Sequence, residues 1–130
     1  MPNKESKIGQ RRTHQREFIV ETINKAEGPL TVNEIQQAAQ KDGHHIGIAT
    51  IYRTIKLLLE KEVILLITLP DGQARYETAQ REHHHHFQCK VCNKVIDVDK
   101  CCMHLHEKEV EGHLVDRHEI TLIGTCKDCR

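Results

Sequence analysis

Residues 48–61, IATIYRTIKLLLEK, and residues 62–77, EVILLITLPDGQARYE, decide how the first half of this chain is read. In the first segment Ile48, Ile51, Ile55, Leu58 and Leu59 recur at helical spacing as one apolar stripe, which leaves Thr50, Arg53, Thr54 and Lys56 outward. The second holds two strand-like runs about Pro70-Asp71-Gly72, residues that favour a tight turn. Working back, TVNEIQQAAQKDG reads as a helix opened by Thr31 and Glu34 at capping-box spacing and stopped at Gly43. Before the break at Gly28-Pro29-Leu30, THQREFIVETINKA reads as a helix with Thr13 as N-cap and Phe18, Ile19, Ile23 and Ala26 on one face. Three short helices and a hairpin describe a winged helix-turn-helix, whose third helix fits the DNA major groove. Helical triplets without a nucleic-acid role are common, so the pattern alone leaves both readings open.

Composition sharpens this. The formal net charge is zero, which argues against a uniformly basic nucleic-acid binder. Residues 1–16, however, carry Lys4, Lys7, Arg11, Arg12 and Arg16 against Glu5 alone, whereas residues 78–130 hold eight basic and nine acidic groups. Phe18, Tyr52, Tyr76 and Phe87 are the aromatic complement, with no Trp, so neither half can build a large core. Small domains of this kind need a metal, a disulfide or a partner subunit. No signal-peptide pattern or membrane-length apolar run occurs, and VILLI is strand-sized. A cytoplasmic protein with no membrane partner is expected, and its six cysteines then read as metal ligands rather than a secreted disulfide framework.

All six cysteines and eight of the eleven histidines lie in the second half. CKVC (Cys89, Cys92) and CKDC (Cys126, Cys129) supply four thiolates, the closed shell of a structural zinc site. The 33 residues between them must hold a small subdomain. A thioredoxin-like dithiol is disfavoured, because neither CxxC follows a strand-to-helix pattern. Four consecutive histidines precede the first knuckle, and in an extended chain they alternate: His83 and His85 on one face, His84 and His86 on the other. Glu77 and Asp97 lie near the pair His84/His86 in the chain, and His104 and His118 are available to His83/His85. Mixed imidazole and carboxylate shells suit zinc, iron or manganese; a solvated histidine cluster is the plain alternative. Around these ligands HHHHFQC and KVIDVD read as strands, MHLHEKEVEG as a short helix ended by Gly112, and HLVDRHEITLIGTC as a longer strand. The whole is an α+β chain.

An enzyme is not indicated. HEKEV lacks the second histidine of a zinc-protease helix, and TCKDC lacks the Pro-Cys-x-x-Cys context of a deaminase. A thiol switch at Cys101 and Cys102 would need other partners, since adjacent cysteines rarely pair with each other.

Taken together, IGIATIYRTIKLLLEKEVI, DGQARYE, HHHHFQCKVCNKVIDV and HEITLIGTCKDC resemble the Fur family of bacterial metal-dependent repressors, over roughly residues 11–129. The resemblance implies a homodimer with a winged-helix DNA-binding domain over residues 1–77 and an α/β metal-binding dimerisation domain over residues 78–130. It implies structural zinc on Cys89, Cys92, Cys126 and Cys129, and a regulatory cation on Glu77, His84, His86 and Asp97. A further site would use His83, His85 and His118, with His104 near the position of an acidic ligand. Two departures stand out. Pro29 occupies the place where the family often has a hinge histidine, and TAQR stands where zinc-sensing members often offer a cysteine.

The segment VDKCCMHLHEKEVEGH is similar to that of zinc-uptake regulators, and imidazole-rich ligation favours zinc. The expected function is a zinc-responsive repressor of metal-uptake genes on palindromic double-stranded DNA. Iron-, manganese-, nickel- or peroxide-responsive behaviour is the alternative. Candidate DNA contacts are Arg11, Arg12, Arg16, Thr50, Tyr52, Arg53 and Lys56.

Overall fold

The computed structural model describes residues 4–100 and 109–130, which divide into one compact unit running through Gln80 and a second from Arg81.

In the first unit, α1 (Lys4–Lys25), α2 (Val32–Lys41) and α3 (Ile48–Glu60) precede a hairpin of β1 (Ile64–Thr68) and β2 (Ala74–Thr78). Helix α1 begins at Lys4, so Thr13 lies within it and is not its N-cap; the basic arm is part of the helix from Lys4 onward. Helix α2 starts as its sequence dictates. The Thr31 side chain accepts from the Glu34 N–H, and the Glu34 carboxylate accepts from the Thr31 N–H. Ile51, Ile55 and Leu58 of α3 are buried with Ile19 and Ile23 of α1 and Ile35 and Ala39 of α2, and Ile48 and Leu59 pack at the edge. Repeated at 3.6 residues per turn, these side chains bring three helices onto one core.

The wing turns at Leu69–Gly72, where the Gly72 N–H donates to the Leu69 carbonyl and Gly72 takes φ +77°. The Asp71 carboxylate holds that turn to β2 through both terminal nitrogens of the buried Arg75, at 3.0 and 2.9 Å. Leu30 adds a further bridge to the hairpin by exchanging backbone hydrogen bonds with Tyr76.

The second unit is built on a three-stranded sheet in the order β4-β3-β7, from β3 (His85–Cys89), β4 (Val95–Val98) and β7 (Thr121–Gly124). Strand β3 pairs antiparallel with β4, with His86 opposite Asp97, and parallel with β7, with Cys89 opposite Gly124. The expected helix ending at Gly112 is replaced over its described part by a hairpin of β5 (Glu109–Val110) and β6 (His113–Leu114). Glu111 and Gly112, at φ +51° and +84°, form a two-residue turn whose twist suits strands rather than a helix terminus. The single long strand expected over 113–126 is also broken. Residues 115–120 are not part of a strand, and at Ile120 the carbonyl accepts from the His86 N–H while its own N–H donates to the His85 side chain. Cys101, Cys102 and His104 lie outside the described residues. No helix among the described residues is long and apolar enough to cross a membrane.

Candidate metal centres and nucleic-acid interface

The two CxxC knuckles converge because β3 and β7 are neighbours. Cys89 ends β3, the chain reverses through Asn93 at φ +61°, and Cys126 follows two residues after the end of β7. The four Sγ atoms of Cys89, Cys92, Cys126 and Cys129 lie within 4.8 Å of one another, and all four thiols are free of disulfides. Cys92 Sγ and Cys126 Sγ are 3.9 Å apart. A tetrahedral zinc shell with Zn–S bonds of about 2.3 Å has sulfur–sulfur edges of about 3.8 Å, so the spacing fits.

The backbone prepares this site for negative charge. The amides of Val91 and Cys126 each donate to Cys89 Sγ at 3.4 Å. Amide donation, chiefly from Cys126, holds the Cys89 thiol down at about 6, while hydrogen bonding with Cys126 and Cys92 pushes Cys129 up to about 12. Four neighbouring thiols cannot all ionise without a cation, and a divalent ion removes that conflict.

Strand β3 sorts the histidines. His84 and His86 stack edge-to-face at 5.0 Å, while His83 and His85, at 4.5 Å, meet His118 at 4.7 and 5.2 Å. Opposite His86, Asp97 directs Oδ1 toward His86 Nε2 at 3.6 Å and His84 Nε2 at 3.9 Å. Oδ1 is buried, and among the described residues nothing donates a hydrogen bond to it. His84 Nδ1 lies 2.8 Å from the Glu82 carbonyl, which only accepts, so Nδ1 carries a proton and, in the neutral ring, Nε2 is the nitrogen with the lone pair. A metal-binding histidine is commonly oriented in this way. Two imidazoles and an orphaned carboxylate oxygen fit a divalent cation. Glu77, by contrast, belongs to β2 of the first unit, where it is buried.

The other face is built differently. The ligand atoms of His83, His85 and His118 lie within 4.8 Å of one another, with no described carboxylate among them. His85 is 1% exposed, and its Nδ1 accepts the Ile120 N–H at 3.2 Å. Its neutral ring then carries the proton on Nε2. Burial first, then the neighbouring His83 and His118, holds its pKa below the usual value.

In the first unit, Arg12 and Arg16 of α1 line a groove with Thr50, Arg53 and Thr54 of α3. Arg53 Nη2 donates to Thr50 Oγ1 at 3.2 Å, and Tyr52, Arg53 and Lys56 are exposed. Arg11 lies beside a separate groove with His14, His44 and His45. Sequence reasoning did not anticipate Arg81, whose Nη1 contacts Asp97 Oδ2 at 2.6 Å. No local motif announces that pairing, which the strand register creates.

A winged helix followed by a small unit of strands rich in metal-ligating side chains defines a class of DNA-binding regulators that respond to metal. Residues 7–123 match the Ferric uptake regulator family, and the chain belongs to it. It is 33% identical over 128 residues to the Ferric uptake regulation protein of Campylobacter upsaliensis, covering 93% of this chain and 81% of that one. Among solved structures it resembles a zinc-bound manganese uptake regulator, at 25% identity and TM-score 0.74, covering 95% of this chain and 99% of that one. It also resembles FurB from M. tuberculosis, a zinc uptake regulator, at 27% identity and TM-score 0.56, covering 96% and 99%.

The protein is therefore a metal-responsive transcription regulator that binds divalent metal and operator DNA as a dimer, and not an enzyme. Its relatives are named for iron, manganese and zinc, so membership does not select the cation.

Proposed function

We propose that this protein is a zinc-responsive cytoplasmic repressor of metal-uptake genes that acts on palindromic operators. In this reading Cys89, Cys92, Cys126 and Cys129 hold structural zinc, and Glu77, His84, His86 and Asp97 hold the exchangeable cation. His83, His85 and His118 form an auxiliary site that His85 can enter only by giving up its bond from Ile120. The observation that carries the reading is Asp97 Oδ1, buried without a hydrogen-bond donor among the described residues and facing two imidazole nitrogens. Two imidazoles with two carboxylates suit zinc, iron or manganese, and Pro29 in place of a hinge histidine leaves a four-residue set, the number that a tetrahedral zinc ion takes.

A bound divalent ion supplies charge neutralisation and a fixed ligand angle. Glu77 precedes the inter-unit boundary and the histidines follow it, so their joint ligation would set where the two α3 helices of a dimer fall along the duplex. Arg53, Tyr52, Thr50 and Lys56 then meet bases or phosphates, and Arg11, Arg12 and Arg16 add salt-sensitive phosphate attraction. Metal and operator raise each other's affinity by the same factor.

The test is a mobility-shift titration of operator DNA with zinc, ferrous iron, manganese and nickel, each buffered at its own free concentration. Retardation that needs zinc at the lowest concentration and reverses on chelation is expected. Binding unchanged by chelation rejects the corepressor reading, and preference for another ion replaces zinc.

A further inference from the structure

The two oxygens of Asp97 have separate duties. Oδ2 takes Arg81 Nη1 at 2.6 Å, a charge-assisted bond with the aspartate side chain 10% exposed, while Arg81 Nη2 lies 3.8 Å from the exposed Asp99. Oδ1 is left to the two Nε2 atoms of His84 and His86. With one lone pair of Oδ2 committed to the guanidinium, two-oxygen ligation by Asp97 would have to compete with that bond.

We infer that Arg81 is a positioning residue that restricts Asp97 to one-oxygen ligation and so selects a four-coordinate cation over one that takes six ligands. The inference rests on the reading of His84, His86 and Asp97 as part of the exchangeable site. Zinc is satisfied by four ligands, whereas manganese favours octahedral, oxygen-rich shells that a two-oxygen carboxylate helps to fill. The guanidinium also places positive charge near the site, but that weakens every divalent ion alike. Denticity alters the ratio between ions; charge alone does not.

The experiment uses full-length protein retaining its four-cysteine zinc. Zinc and manganese affinities are measured by competition with a fluorescent chelator for wild type, Arg81→Gln, Arg81→Lys and the double variant His84→Ala/His86→Ala. Loss of the arginine is expected to raise the manganese-to-zinc affinity ratio about tenfold, within the range seen when partners of metal ligands are removed. The lysine variant, which keeps the charge without the planar fork, falls between. Cobalt-loaded Arg81→Gln should also lose the intense visible absorption of a four-coordinate ion.

Both affinities shifting together at constant ratio, with the cobalt spectrum unchanged, would overturn the inference while leaving the site in place. Exchangeable zinc undiminished in the double histidine variant would overturn the site and the inference together. A misfolded Arg81→Gln is recognised by circular dichroism, and the lysine variant then decides by the same ratio.

Discussion

The two units hold themselves together by opposite means. The first buries Ile19, Ile23, Val32, Ile35, Ile51, Ile55, Leu58 and Ile64 around three helices. Among the described residues of the second, the buried set is Cys89, Val95 and Cys126 with the polar His85 and Gln88, while Leu122 and Ile123 of β7 are exposed. With few buried aliphatic groups among its described residues, the second unit is expected to lean on metal coordination at its four cysteines where the first leans on packing.

The most severe way to break that contrast is Cys126→Ser. Structural zinc in small domains contributes apparent binding free energies of about 10–16 kcal/mol, so the second unit should unfold and the dimer dissociate. Zinc content and sedimentation check this. A native dimer with full zinc would show that packing suffices. Ile51→Ala attacks the other side of the comparison. A fully buried aliphatic truncated in a packed core costs about 2–5 kcal/mol, so the first unit should melt earlier while the four-cysteine zinc is retained. Denaturation followed by circular dichroism alongside zinc release separates the two transitions. Smallest in effect, Thr31→Ala removes the capping box and should cost the first unit about 1 kcal/mol, a melting shift of a few degrees with metal affinity unchanged.

Legibility in the sequence followed the same divide. Helix α3, the capping box and the Pro-Asp-Gly turn were readable because each is set by neighbours within a few residues. The fold class followed from them. Alternation along residues 83–86 likewise told which imidazoles share a face. Helix α1 was drawn too short because Lys4–Arg12 has weak amphipathic signal, and a Thr in a polar stretch resembles a cap. The hairpin at Glu109–Leu114 was missed because Glu and Lys favour helix locally, whereas the Glu111-Gly112 turn sets the outcome. Legible ligands did not reveal their protons. That His84 Nδ1 faces a carbonyl while His85 Nδ1 accepts an amide depends on carbonyl and amide positions that only the register fixes.

The parallel pairing of β3 with β7 has a kinetic corollary. These strands lie more than thirty residues apart, so their registry forms late and at high loop entropy, with few apolar contacts to hold an early encounter. Capture of an ion by the knuckles is the step that would make such an encounter permanent. Nascent chains made in metal-starved cells would then linger half-assembled and exposed to proteases, so scarcity would thin the regulator's numbers as well as empty its sensor.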